Sequence, residues 1–149
     1  MNPRADLFNV NLESKNMQGV FDMQELADEG ETVVFKSNLE VGEQVIPFCV
    51  LIDNSIFPVI RFFMAREVIT RENRDNVREF VNEMNATYKA FKYYIDEYGN
   101  IILDACVPAL DNFYDPELIH VIIDDVIRDH LSNDYETLMN VIWSKMKTE

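Results

Sequence analysis

A chain of 149 residues is one domain's worth of polypeptide, long enough to bury roughly two-thirds of its unfolded surface in a single core without disulfide or metal staples. Its 27 acidic against 13 basic residues leave a net charge of −14, which repels phosphate backbones and anionic bilayers and sets nucleic acids and membrane surfaces aside as partners. No apolar run approaches the ~18 residues of a membrane span, and the first residues lack a cationic start followed by an apolar stretch, so the cytoplasm is the expected compartment.

Residues 1–30 carry the weakest signal. Leu7, Phe8, Val10, Leu12, Met17, Val20 and Phe21 are spaced loosely enough for one or two short helical turns, with Gly19 interrupting any longer run. The five acids between Asp22 and Glu31 suit a solvated connector or frayed edge. From Glu31 to Arg66 the pattern sharpens into three antiparallel strands joined by two tight turns. Val33, Phe35, Leu39 and Val41 alternate with Lys36, Asn38 and Glu40, the period of a half-buried strand. Gly42-Glu43 places a glycine where a type II′ hairpin needs positive φ. Phe48 to Ile52 and Val59 to Met64 are apolar at nearly every residue, as in strands buried on both faces, and Asp53-Asn54-Ser55 supplies the turn between them.

Thr70 is a plausible N-cap for an amphipathic helix from about Glu72 to Thr87, whose apolar stripe is Val77, Phe80, Val81, Met84 and Tyr88. A second hairpin follows, Ala90 to Asp96 and Ile101 to Val107, turning at Glu97-Tyr98-Gly99-Asn100. Asp115-Pro116 opens a helix whose stripe runs through Leu118, Ile119, Ile122, Ile123, Val126, Ile127 and His130 to about Leu131. Asn133 and Glu136, at capping-box spacing, restart the pattern, and Tyr135, Leu138, Met139, Ile142, Trp143 and Met146 line a last helix. The expected architecture is therefore α+β, a five-stranded antiparallel sheet in β-β-β-α-β-β order with helices on one face. Residues 1–149 form one domain, with 1–30 a weakly defined helical segment and 132–149 an extra C-terminal helix.

Candidate chemistry is sparse. Cys49 and Cys106 lie inside expected strands, read as small buried hydrophobes, and no Cys-x-x-Cys or Cys/His spacing supports a disulfide or metal site. His120 and Asp124 are four apart on one helix, but two ligands hold little, and His130 lies almost three turns away, so both histidines read as partly exposed helix residues. Asp124 and Asp125 are adjacent and point apart, unlike an acid/base pair. There is no nucleophile elbow, and four glycines provide no phosphate-cradling loop. No catalytic residue, cofactor or metal is expected. Arg61, Arg66, Arg71, Arg74 and Arg78 gather five of the seven arginines. They are either an exposed helix start interleaved with Glu67, Glu72 and Asp75 or, in Arg71, Arg74 and Arg78, a docking patch for an acidic surface.

Val33 to Ser37, Val45-Ile46-Pro47-Phe48, Asp53 to Ile56 and the hairpin Tyr94 to Leu103 together resemble the YbjN family, which is similar in fold to type III secretion chaperones. The resemblance covers about Glu31 to Leu131. It implies an acidic, dimeric, non-enzymatic module that binds an extended segment of another protein, or a regulator. The weak N-terminal helix and the extra helix after Ser132 depart from it.

Alternation supplies a surface for such a role. With Val33, Phe35, Val50, Ile60, Phe62, Tyr93 and Leu103 facing the helices, Val34, Cys49, Leu51, Val59, Arg61, Phe63, Tyr94 and Ile102 face outward. This second face mixes apolar and charged residues, which suits a partner or dimer face, with Leu51, Val59, Arg61, Phe63, Tyr94 and Ile102 as its contact residues. The leading expectation is a chaperone-like interaction module that also forms a homodimer. A structural or regulatory homodimer without a client, or less readily a small-molecule sensor or enzyme, stands as the alternative.

Overall fold

The computed structural model describes residues 1–144, so Met146, expected on the last helix, lies outside it. The elements are α1 (Pro3–Ser14), β1 (Asp22–Glu25), β2 (Val33–Val41), β3 (Gln44–Ile52), β4 (Val59–Ala65), α2 (Arg74–Thr87), β5 (Lys92–Ile95) and β6 (Ile101–Cys106). A long helix closes the order, made of α3 (Glu117–Val121), a π-helical turn (Ile122–Ile127) and α4 (Arg128–Trp143). The domain is α+β, with one antiparallel sheet ordered β1-β2-β3-β4-β6-β5.

The sheet has six strands rather than the expected five. Residues 22–25, expected as a solvated connector or frayed edge, form an edge strand that pairs with β2 through the register Asp22↔Lys36 to Glu25↔Val33, while all four side chains stay exposed. Main-chain pairing holds this strand, so no buried face is needed and none shows in the sequence. α1 is likewise longer than the one or two turns expected. The Asn2 side chain caps the Ala5 N–H at 2.8 Å, Pro3 occupies the first turn where its missing N–H costs nothing, and Ala5, Phe8 and Leu12 are buried. Asn2 also donates to the Ile52 and Glu31 carbonyls, fastening the helix start to the sheet.

The β2–β3–β4 meander forms with its first turn tight as expected, whereas β3 and β4 are joined not by a tight turn but by residues 53–58. Val41 pairs with Gln44 across Gly42, whose φ is +60° while Glu43 stays at negative φ, the signature of a type II′ turn. Pro47 is tolerated in a central strand because β3 and β4 pair only from Phe48 to Leu51, so its missing N–H faces no partner there. A register shift between Phe63 and Ala65 falls beyond the residues that define the two faces, so the faces are not exchanged. Val33, Phe35, Val50, Ile60, Phe62, Tyr93 and Leu103 all enter the core with the helices. Phe8 meets Phe35 edge-on at 4.9 Å and Phe48 stacks on Phe62 at 5.0 Å. Burying each such ring contributes about 1.5–3 kcal/mol.

Thr70 and Asn73 exchange bonds, Thr70 N–H to Asn73 Oδ1 at 2.7 Å and Asn73 N–H to Thr70 Oγ1 at 3.2 Å, which closes the turn before α2; the N-cap of the helix is Asn73 rather than the expected Thr70. The two C-terminal helices expected on either side of Ser132 are instead continuous through it. Asn133 and Glu136 lie inside α4 and cap nothing. Buried Ile119, Ile123, Ile127 and Leu131 recur every four residues, and in a 3.6-residue helix each such step overshoots a full turn by about 40°. The wider turn, in which Arg128 N–H bonds the Ile123 carbonyl, absorbs that drift. Trp143, expected to line the core side, is mostly exposed.

Candidate functional site

The outer face of the sheet is defined by register. Leu51↔Val59, Cys49↔Arg61 and Arg61↔Asp104 place those side chains together, with Phe63↔Ile102 beside them and Tyr94↔Ile102 reaching the edge strand. Five of the six residues expected there are partly open, Phe63 the most at 42%, whereas Ile102 is buried, 4% exposed, even without a helix above it. At the centre Arg61 donates to both carboxylate oxygens of Asp104, at 2.9 and 3.0 Å, and the Tyr94 hydroxyl donates to the same carboxylate at 3.3 Å. That bond, reinforced by the charge, holds the Arg61 pKa above its ordinary value. Lys92 lies over the Tyr94 ring.

Two shallow depressions flank this pair. One of about 430 Å³ is bordered by Lys36, Cys49, Phe63 and Arg66, and one of about 480 Å³ by Phe57, Val59, Lys92 and Cys106. Cys106 is exposed rather than buried as expected, because it occupies the outward-facing position at the end of β6. Burial raises both thiol pKa values, so neither cysteine is an activated nucleophile.

The arginines expected as a docking patch separate. Arg74 and Arg78 line a groove of about 730 Å³ between α2 and the β5–β6 hairpin, while Arg71 lies in the turn before α2 and outside that lining.

Both histidines are buried, not partly exposed. His130, 2% exposed, has Nδ1 at 3.0 Å from Asp134 and Nε2 at 2.5 Å from the Tyr93 hydroxyl, and Asp134 also accepts from Tyr88 at 2.6 Å. A carboxylate only accepts, so Nδ1 carries the imidazole proton and Nε2 accepts from Tyr93. Phe91 and Tyr88 complete the aromatic cage around the ring. Burial pushes His130 down and Tyr93 up, so both are held neutral. The signal available in sequence was the four-residue spacing of His130 and Asp134 opposite a core-facing Tyr93. His120 turns to α1, its Nε2 2.7 Å from Asn11 Oδ1, while Asp124 pairs with Arg128, so the spacing of His120 and Asp124 brings no two ligands together. Among the described residues no three His, Cys, Asp or Glu side chains gather as a metal cage, and no helix is long and apolar enough to cross a membrane.

No model of a known protein family matches the chain, and no curated protein matches its sequence significantly.

Proposed function

We propose that this protein is a non-enzymatic interaction module, chaperone-like in the manner of the secretion chaperones and the YbjN family it resembles, and that it binds an extended segment of a partner protein on the outer face of its sheet. One observation carries this reading. On the face opposite the helices Leu51 and Val59 are partly open and Phe63 is exposed around the Arg61–Asp104 pair, while Val34, Cys49 and Ile102 beside them are buried. Apolar side chains around a fixed ion pair give a partner both buried area and a register mark. The pair itself is prepaid order, since a two-pronged guanidinium–carboxylate contact keeps the centre rigid before a partner arrives.

The test is Leu51→Glu and Phe63→Glu. Each places a charge on the surface rather than in the core, so circular dichroism is expected to match the unmodified protein while affinity capture from a lysate of the source cell loses its client. Variants that stay folded and capture the same polypeptides remove the outer face as the binding surface. Capture of a second copy alone would favour a homodimer without a client.

A further inference from the structure

The groove between α2 and the β5–β6 hairpin is built differently from the outer face. Its helical wall is the stripe Arg74, Arg78, Asn82 and Asn85, spaced to share one face of α2. Among the described residues neither guanidinium has a carboxylate within 4.0 Å, and neither donates a side-chain hydrogen bond. Asp96 borders the groove, but its carboxylate is occupied by the N–H groups of Tyr98 and Asn100 and the Asn100 amide, leaving Glu97 at the turn as the other acid on the lining.

The opposite wall is a sheet edge. Asn85 closes part of it, accepting the Tyr93 N–H at 2.7 Å and donating to the Tyr93 carbonyl at 3.1 Å, as a neighbouring strand would. Ile95, two residues on, directs its N–H and carbonyl the same way, and neither has a partner among the described residues. An edge left open at one residue beside two unpaired cations specifies its occupant. We propose that this groove is a second docking site, one that takes an extended acidic segment of another protein, its main chain pairing with Ile95 and its carboxylates meeting Arg74 and Arg78. The net charge of −14 does not forbid this, because exposed charges beyond about 8 Å are screened at ~0.15 M salt, and on the lining Arg74 and Arg78 lie on the helical wall while Asp96 and Glu97 lie at the hairpin turn. The proposal does not rest on the outer-face reading.

The probe is a short fluorescein-labelled peptide alternating valine and glutamate, compared with its glutamine and lysine counterparts by fluorescence anisotropy. The glutamate peptide is expected to bind, to lose about tenfold or more in affinity to the R74Q/R78Q double variant, and to shift the Ile95 amide resonance in an NMR spectrum. L51E is expected to leave that affinity unchanged. Absence of saturable binding, equal binding of the lysine peptide, or unchanged affinity in R74Q/R78Q would overturn the site. Loss in L51E alone would move the peptide to the outer face, and displacement by millimolar inorganic phosphate would reduce the groove to a bare anion site.

Discussion

His130 is where a single side chain has the widest reach. Its ring joins β5 through Tyr93 and the end of α2 through Asp134 and Tyr88, while its own backbone lies in α4. Burial holds His130 and His120 below the ordinary value of 6.5, so the unfolded chain binds more protons as pH falls through that value. Stability therefore rises with pH and is lost on acidification, beginning near 6.5 and continuing down to the depressed native values. Asp134 and Asp129 beside His130, and Glu117 and Asp124 beside His120, oppose the depression, while Lys15 adds to it at His120. The urea midpoint is expected to drop between pH 7.5 and 5.5, and to drop less in H130Q; a midpoint that holds or climbs on acidification would contradict this assignment. The network was hard to read beforehand because it depends on which face of β5 meets which turn of α4, a matter of tertiary packing rather than spacing.

At the level of elements, what the residues announced depended on whether burial or backbone pairing holds each piece. The meander was legible because Val33, Phe35, Leu39 and Val41 alternate and Gly42 marks the turn. β1 was not, since its four side chains are all exposed and carry no periodic signal. The continuity through Ser132 was hidden by residues that cap helices elsewhere, and apolar packing of Leu131 and Leu138 outweighed that local preference. The π-helical turn gives a direct test. Deleting Asp125, exposed within it, removes the extra residue, so the i→i+5 turn can close to ordinary i→i+4 bonding with the residues after it keeping their faces. Ile127, His130 and Leu131 are expected to stay in the core and the urea midpoint to change little. A loss of the size that misplacing one such aliphatic side chain causes, about 2–5 kcal/mol, would show that the turn is not an absorbed extra residue.

For the whole molecule, the outer face is the surface through which association is expected. The candidate surface was legible as a face, because alternation separates it from the core, but the Arg61–Asp104 pair at its centre was not, since it needs the β4–β6 register. A sheet this apolar on its uncovered side is expected to associate through it, and a homodimer mass by light scattering after gel filtration is the expected outcome. Phe63→Glu is expected to return the monomer mass with the fold intact. A monomer mass across a wide concentration range for the unmodified protein would leave the outer face to clients alone.

The amide of Asn85 has a further consequence, for polymerisation. A sheet with two bare edges can add copies head to tail, edge to edge, and such a contact does not close on itself. Here β1 offers one edge bearing Asp22 and Glu25, and β5 is the other. By occupying both main-chain groups of Tyr93, Asn85 shortens the second edge to Ile95, too little ladder to hold a folded copy in register. One side-chain amide thus leaves an opening sized for a loose strand and withholds the footing that a growing fibre would require.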